Sequence, residues 1–256
     1  MTVEDRFAGR ADGFDEHYTE PRGRVRLDLV LERLDHALPS PPARILDAGG
    51  GTGAFAIPLA RIGYDITIVD QSADWLEHAR VKANAAGVSL ELVNAGLESL
   101  IDADLSPFDA VLCHAVLMYV EDPPAALRTL RSVALPGAVL SLLEKNRDGI
   151  ALRPGLQGDY GQATRLLTER ESVGRLGVEN RAYTVAEWLT MLDEAGWGPE
   201  VWSVSDCSRT MLLTISVPMR TPRCSTRSAP RAPWIHTARS RAWCTSSPMR
   251  RRTRGR

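Results

Sequence analysis

The sequence predicts an α/β protein in which helices cover both faces of a mostly parallel β-sheet. Between residues 44 and 195, short apolar segments alternate with segments of helical period, which is typical of such sheets. The composition is that of a folded protein, because 44% of the 256 residues are hydrophobic and 25% are charged. A chain of this length buries enough surface for a sizeable core without disulfides.

Five strands and four helices are predicted in the first 206 residues. The strands are predicted at residues 44–47, 65–70, 89–94, 108–115 and 138–143, and the helices at residues 52–61, 72–86, 122–134 and 185–195. Ser72 is the predicted N-cap of the second helix. The pattern weakens at residues 146–183, which predicts an insertion of helix and loop over the strand ends.

Composition also excludes several classes of protein. No apolar run approaches the roughly 20 residues of a membrane span, and the charged N-terminal segment lacks the apolar core of a signal peptide. The four cysteines show no CxxC spacing, so neither a zinc site nor a disulfide framework is expected. We therefore expect a cytoplasmic protein without a membrane anchor or a metal site. The sequence does not indicate its oligomeric state.

The sign of the net charge changes near Asp206. Residues 1–206 hold 19 basic against 32 acidic residues, a net charge of −13, whereas the last 50 residues hold 12 arginines and no acid. We therefore expect one domain over residues 1–206, followed by an Arg-rich, disordered tail over residues 207–256. Such a tail is also typical of a basic arm that binds nucleic acid.

A glycine cluster follows the first predicted strand. Its sequence is Asp47-Ala48-Gly49-Gly50-Gly51-Thr52-Gly53, and glycines allow a ligand to approach the backbone closely. The helix predicted after it offers unpaired N–H groups. Asp70 ends the second strand, where its carboxylate can accept both hydroxyls of a ribose. This arrangement predicts a site for a nucleoside-type cofactor.

Two cofactor classes compete for this loop. The spacing Gly49-x-Gly51-x-x-Ala54 satisfies the dinucleotide fingerprint of nicotinamide enzymes. The complete spacing D-x-G-x-G-x-G, which begins at Asp47, resembles the first motif of the class I S-adenosylmethionine-dependent methyltransferases. That resemblance implies a Rossmann-like fold, an enzyme and S-adenosylmethionine as the cofactor. The chain also lacks the second long domain that a dehydrogenase usually carries.

The resemblance extends over about residues 5–206, to the branch of the family that contains the tRNA carboxymethoxyuridine carboxyl-methyltransferases. The shared stretches are ILDAGGGTG, VDQSADWLEHA, CHAVLMYVEDPPAALRTLRSVALPGAVLSLL and WLTMLDEAGW. The resemblance implies a cofactor site made of Arg26 at the carboxylate, Asp47, Gly49, Gly50 and Gly51 in the motif at the methionine part, Asp70 at the ribose, Gly96 and Leu97 at the adenine, and His114 at the end of the fourth strand.

Each assignment outside the motif has a structural alternative. Arg26 fits a solvated helix residue, Gly96 and Leu97 fit a turn, and His114 in an apolar strand fits a core histidine. Four residues of the insertion are further candidates for a substrate pocket: Arg153, Tyr160, Arg165 and Tyr183.

The acceptor of the methyl group is less well defined, and no catalytic residue is assigned. A carboxylate acceptor is ionised at neutral pH and needs no general base, and the sequence offers no strong candidate for one. The insertion balances its arginines with glutamates, and the net charge of residues 1–206 repels a polyanion. We therefore expect a small-molecule acceptor, with tRNA second. A nicotinamide enzyme and a non-catalytic cofactor-binding module remain as alternatives.

The chain from about Val201 has a further interpretation as the product of a shifted reading frame. Back-translation with GC-rich codons and a shift of one nucleotide restores acidic residues, a helical period and an apolar strand in that order. The class I fold ordinarily ends with a sixth strand and an antiparallel seventh, so this interpretation predicts that the seventh strand is missing or degraded. Resequencing the gene tests it.

Overall fold

A computed structural model describes residues 7, 9–101, 103, 105, 107–174 and 177–198, and the backbone of residues 201–205 and 210–216. The strands are β1 (Arg44–Ala48), β2 (Asp65–Asp70), β3 (Glu91–Asn94), β4 (Phe108–His114), β5 (Ala134–Lys145), β6 (Glu171–Val173), β7 (Glu179–Arg181), β8 (Val201–Ser205) and β9 (Thr210–Ser216). Seven of them form one sheet in the order β3-β2-β1-β4-β5-β9-β8, and β6 pairs with β7 in a separate hairpin. Strands β1 to β5 pair in parallel, while β9 is antiparallel to both β5 and β8.

Helices surround this sheet and connect its strands. They are α1 (Ala11–Thr19), α2 (Pro21–Ala37), α3 (Ala56–Arg61), α4 (Ala73–Ala86), α5 (Pro123–Ser132), α6 (Leu152–Leu156), α7 (Tyr160–Thr168) and α8 (Val185–Glu194). Short 3₁₀ turns lie at Leu97–Ser99 and Leu117–Tyr119. Within the described residues, none of the helices is both long and apolar enough to span a membrane.

The core consists of two apolar clusters, one on each face of the sheet. Consecutive residues of a strand point to opposite faces. Accordingly, Ile45 belongs to the cluster that contains Leu34, while its neighbour Leu46 belongs to the cluster that contains Trp188 and Trp197. The prediction that helices cover both faces of a mostly parallel sheet is therefore confirmed.

Several predicted boundaries agree with the structure, and one helix start differs. Strand β2 has the predicted bounds, and Ser72 caps α4 by accepting the Trp75 N–H at 3.4 Å. Helix α3 begins at Ala56 instead of Thr52, because residues 51–55 form turns. Gly51 and Gly53 in this stretch have φ angles of 54° and 78°, which a right-handed helix does not accommodate.

The prediction of a missing seventh strand is wrong, because β9 occupies that place in the sheet. Residues 210–216 (TMLLTIS) are rich in apolar and β-branched residues, which favour a strand, and they pair with the edge of β5. The sheet thus extends beyond Asp206, the boundary predicted from charge. The disordered tail predicted for the remaining residues, 217–256, lies outside the described part of the chain, and the reading-frame interpretation stays a prediction.

Helix α8, which packs the insertion onto the core, offers a test of local capping. The Thr184 hydroxyl accepts the Glu187 N–H at 3.1 Å, and the Glu187 carboxylate accepts the Thr184 N–H at 2.8 Å. We expect Thr184→Ala to lower the free energy of unfolding by about 1 kcal/mol, the usual effect of losing an N-cap. Urea denaturation measures it. Thr190→Ala, on the exposed face of the same helix, is the control, and an equal loss in both variants contradicts the prediction.

Candidate active site

A cavity of about 700 Å³ lies at the carboxyl ends of β1, β2 and β4. In open parallel sheets this edge is where ligands bind. Five of the predicted site residues line the cavity, and they come from four separate loops or strand ends: Gly49, Asp70, Gly96, Leu97 and His114. The other four, Arg26, Asp47, Gly50 and Gly51, are not among the lining residues.

Asp70 is fixed at the cavity wall by the backbone around it. Its Oδ2 accepts the Gly51 N–H at 3.0 Å, and its Oδ1 accepts the Ser72 N–H at 2.9 Å. Burial raises the pKa of Asp70, while these two hydrogen bonds act to lower it. A carboxylate has about four acceptor positions, so two remain for hydroxyl groups of a ligand.

Neighbouring side chains pack so closely against the glycine loop that no side chain fits at two of its positions. Gly49 has a φ of 71°, and a Cβ at this position would lie 2.5 Å from Cγ2 of Val116. A Cβ on Gly51 would lie 2.7 Å from Cε3 of Trp75. These contacts explain the glycines at both positions and bring the loop against the wall of the cavity.

Asp47 lies behind the glycine loop and is fully buried. Its Oδ2 makes no hydrogen bond within the described residues, although buried polar atoms are normally paired. Burial, and secondarily the negative charge of Asp70, raises the pKa of Asp47 to about 7. A ligand cation next to this carboxylate would stabilise its ionised form.

His114 is the last residue of β4, and its side chain lines the cavity and contacts core residues. Its Nε2 lies 2.9 Å from the Ser141 Oγ, and its buried Nδ1 makes no hydrogen bond within the described ranges. The ring also packs edge-on against Phe55, with centroids 4.5 Å apart. Burial lowers the pKa of His114 to about 3, so the imidazole is neutral at physiological pH. It is suited to a hydrogen bond and not to proton abstraction.

Arg26 lies on α2. Its charge acts on the phenol of the partly buried Tyr18, which packs edge-on against Phe55. Burial raises the pKa of Tyr18 to about 12; Arg26 opposes this shift, and Asp47 and Asp15 add to it. The arginine and the two carboxylates therefore act on the same phenol.

Polar contacts connect the N-terminal helix α1 to the glycine loop and to α4. The Asp15 Oδ1 accepts a hydrogen bond from the Thr52 hydroxyl at 2.5 Å and forms an ion pair with Lys82 at 2.7 Å. The indole of Trp75 also donates to the Phe7 carbonyl at 3.2 Å. These contacts accompany the position of Phe7 and Phe14 at the cavity.

Sequence reasoning missed two walls of the cavity. One is aromatic and consists of Phe7, Phe14, Trp75 and Tyr119, whose neighbouring rings pack at centroid distances of 4.9–5.6 Å. The other is the β6–β7 hairpin, which contributes Glu171, Glu179, Asn180 and Arg181. The candidates proposed within the insertion do not line the cavity: Arg153, Tyr160, Arg165 and Tyr183.

Comparison with known proteins identifies the family of the chain. Residues 46–142 match the family model described as a methyltransferase domain. The chain is 33% identical over 187 residues to the tRNA 5-carboxymethoxyuridine methyltransferase of Escherichia coli (strain K12), and the match covers 70% of each chain. The chain belongs to the class I S-adenosylmethionine-dependent methyltransferases.

Other relatives of this methyltransferase act on different acceptors. It is 34% identical over 134 residues to the ubiquinone biosynthesis O-methyltransferase of Xanthomonas axonopodis pv. citri. That match covers 52% of this chain and 54% of the relative. Its fold matches magnesium protoporphyrin IX methyltransferase from Synechocystis PCC 6803, solved with bound S-adenosylhomocysteine, with a TM-score of 0.65 at 19% identity. That match covers 84% of this chain and 97% of the other.

The family resolves the choice between cofactors. The cofactor is S-adenosylmethionine, as the motif at Asp47 predicts, and the nicotinamide and non-catalytic alternatives no longer apply. The residues present fit this group. The glycine loop allows close approach of a ligand to the protein backbone, the carboxylate at the end of β2 suits a ribose, and the unpaired buried carboxylate suits an ammonium group. When bound, S-adenosylmethionine supplies a methyl group already activated by a sulfonium.

Proposed function

We propose that the enzyme transfers the methyl group to an oxygen of a small-molecule acceptor, in the cytoplasm. The charge of the cavity supports this proposal most directly. Besides Asp70, five acidic residues line the cavity, whereas Arg181 is the one arginine among the described lining residues. The acids are Glu98, Glu121, Asp122, Glu171 and Glu179.

For the cofactor, we propose that Asp70 holds the ribose and that Asp47 pairs with the ammonium group. Gly49, Gly50 and Gly51 would allow the methionine part to approach the backbone, and Gly96 and Leu97 would contact the adenine. The unpaired Oδ2 of Asp47 and the two open acceptor positions of Asp70 support these assignments. Arg26 beside Tyr18 would serve the cofactor carboxylate, and the free Nδ1 of His114 would donate or accept one hydrogen bond.

The acidic lining argues against a polyanionic acceptor. Each phosphate that enters would meet like charges in a partly water-excluded space, where repulsion is stronger than in bulk water. A small monoanion experiences less repulsion, and the net positive charge of the bound cofactor offsets part of it. The cavity therefore supports a small acceptor better than tRNA.

The acceptor oxygen would already be ionised before transfer. His114 is neutral, with a pKa of about 3, so it is a poor base for a phenol or an alcohol. A carboxylate needs no base at neutral pH and only has to be aligned with the methyl group. The Arg181 guanidinium donates to the Glu121 carbonyl at 3.3 Å and pairs with Glu171 at 3.3 Å, which holds it at the cavity wall.

One observation favours the second candidate, methylation of tRNA. It is the 33% identity to the Escherichia coli tRNA enzyme over 70% of both chains. Incubation of the enzyme with methyl-labelled S-adenosylmethionine and a cell extract, followed by size fractionation, separates the two. Label in the small-molecule fraction supports our proposal, and label in purified tRNA overturns it. Release of the label as methanol on mild alkaline treatment would identify a carboxyl ester in either fraction.

We expect Arg181→Met to reduce methyl transfer to the labelled acceptor by about 10- to 100-fold, the range for losing a hydrogen bond to a charged group. Affinity for S-adenosylhomocysteine should change little, because Arg181 lies on the hairpin and not at the glycine loop. Transfer rate and calorimetric affinity measure the two effects. Arg165→Met, on α7 outside the cavity, is the matched control. Unchanged transfer by Arg181→Met would contradict a carboxylate acceptor at this residue.

A further inference from the structure

Glu144, near the end of β5, is a buried carboxylate that the proposed reaction does not use. Its side chain is fully buried and accepts hydrogen bonds from three consecutive backbone N–H groups. The Oε1 accepts from Val116 at 3.1 Å and from Leu117 at 2.7 Å, and the Oε2 accepts from Met118 at 3.1 Å. One side chain thus fixes the start of the 3₁₀ turn that follows β4.

The backbone at this point needs such support. Ala115, immediately before the turn, has a φ of 60°, the left-handed region that costs a non-glycine residue about 1–2 kcal/mol. The first N–H groups of a turn have no partners within it, and in the interior they would be costly to leave unpaired. The Glu144 carboxylate supplies these partners and so stabilises a conformation that the sequence alone does not favour.

The segment that Glu144 holds, residues 116–119, forms a wall shared by the cofactor loop and the rest of the cavity. The Val116 side chain lies directly over Gly49, and Met118 lines the cavity. The Tyr119 ring packs edge-on against Phe7 at a centroid distance of 5.0 Å. Movement of this segment would therefore change the space in which the methyl group and its acceptor meet.

We propose that Glu144 is a positioning residue for methyl transfer, which acts by fixing residues 116–119 as the wall beside the cofactor. It lies outside the set of residues that line the cavity, so it acts through the segment and not on the reacting atoms. This proposal depends on membership of the methyltransferase family and not on the identity of the acceptor.

Opposing effects act on the pKa of Glu144. Burial raises its pKa to about 8, while the three N–H donors and the charge of Lys145 act to lower it. Its negative charge in turn contributes to the raised pKa values of Tyr119 and Cys113. A glutamine at this position would replace one accepting oxygen by an amide nitrogen, which cannot accept a hydrogen bond from the backbone N–H that it faces.

Glu144→Gln tests the proposal, with Glu77→Gln on the exposed surface of α4 as the matched control. Amide hydrogen exchange of residues 116–118 should accelerate by about 10-fold or more, and methyl transfer to the labelled fraction should fall by a similar factor, as expected when a buried backbone N–H group loses its acceptor. Affinity for S-adenosylhomocysteine should fall less than methyl transfer does, because Val116 contacts Gly49 but none of the hydrogen bonds that fix Asp70 involves this segment.

Three results would overturn the proposal. The first is unchanged transfer and exchange in a folded Glu144→Gln protein. The second is a loss of cofactor affinity as large as the loss of transfer, which indicates a general structural role. The third needs no variant: amides 116–118 of the wild-type protein exchanging as fast as those of an exposed loop. Label found in tRNA would refute the small-molecule acceptor alone, because the Glu144 comparison uses whichever fraction accepts the label.

Discussion

Asp70→Ala is expected to weaken the binding of S-adenosylhomocysteine by about 10- to 100-fold, the range for losing hydrogen bonds to a charged group. The same change removes the acceptor of the Gly51 and Ser72 N–H groups, so the glycine loop loses one of its hydrogen bonds to β2 and keeps that of the Gly49 N–H to the Val69 carbonyl. We therefore also expect the free energy of unfolding to fall by about 1–3 kcal/mol. Isothermal calorimetry and urea denaturation measure the two effects separately.

Asp65→Ala is the matched control for this variant. Asp65 lies at the other end of β2, where it is exposed and forms a 3.7 Å ion pair with Arg44. Its removal should leave the affinity for S-adenosylhomocysteine unchanged and have a small effect on stability, as exposed ion pairs usually do. If Asp70→Ala binds S-adenosylhomocysteine as tightly as Asp65→Ala does, Asp70 does not hold the ribose.

Asp47→Asn is expected to change stability and binding in opposite directions. The pKa of Asp47 is raised from 3.8 to about 7 in the folded protein, so between about pH 4 and pH 7 the folded state binds a proton that the unfolded state has lost. The free energy of unfolding of the wild type therefore falls as pH rises through this window. Asparagine removes this dependence, so the cofactor-free variant should be more stable above pH 7, by on the order of 1–3 kcal/mol.

Cofactor binding should suffer in the same variant, because asparagine does not pair with an ammonium group as a carboxylate does. We expect S-adenosylhomocysteine to bind about 10-fold more weakly and to stabilise Asp47→Asn less than the wild type. Denaturation at pH 5 and pH 8, with and without S-adenosylhomocysteine, measures both effects. Asp193→Asn, on an exposed position of α8, is the control. A variant that is less stable than the wild type at pH 8 would show that Asp47 has a structural role.

The sequence predicts the alternating strands and helices from β1 to β5 well because local patterns determine them. Strand β2 and helix α4 have clear periods and a clear N-cap, and the acid that ends β2 follows from the same pattern. The polar strands β6 and β7 are only three residues long, and pairing with each other defines them more than their composition does. Helices α1 and α2 are likewise not predicted, because many of their residues face solvent and the apolar pattern is weak.

Long-range contacts explain what the sequence does not show about the site. The motif predicts cofactor contacts at Asp47, Gly49 and Asp70 because their spacing is local. The aromatic residue Phe7 reaches the cavity only because the chain folds back over Trp75, 68 residues further on. The role of Glu144 depends on where the N–H groups of another loop point, which no spacing along the chain encodes.

The position of β9 determines the order in which the sheet can be completed during synthesis. This strand lies between β5 and β8, so β8 has no partner in the sheet until residues 210–216 have been made. Until then the edge of β5 that later pairs along residues 139–145 is open, and exposed strand edges favour pairing with other chains. Glu144 and Lys145 lie on that edge. A chain that is released before residues 210–216 have been made therefore carries an open β5 edge, which favours aggregation.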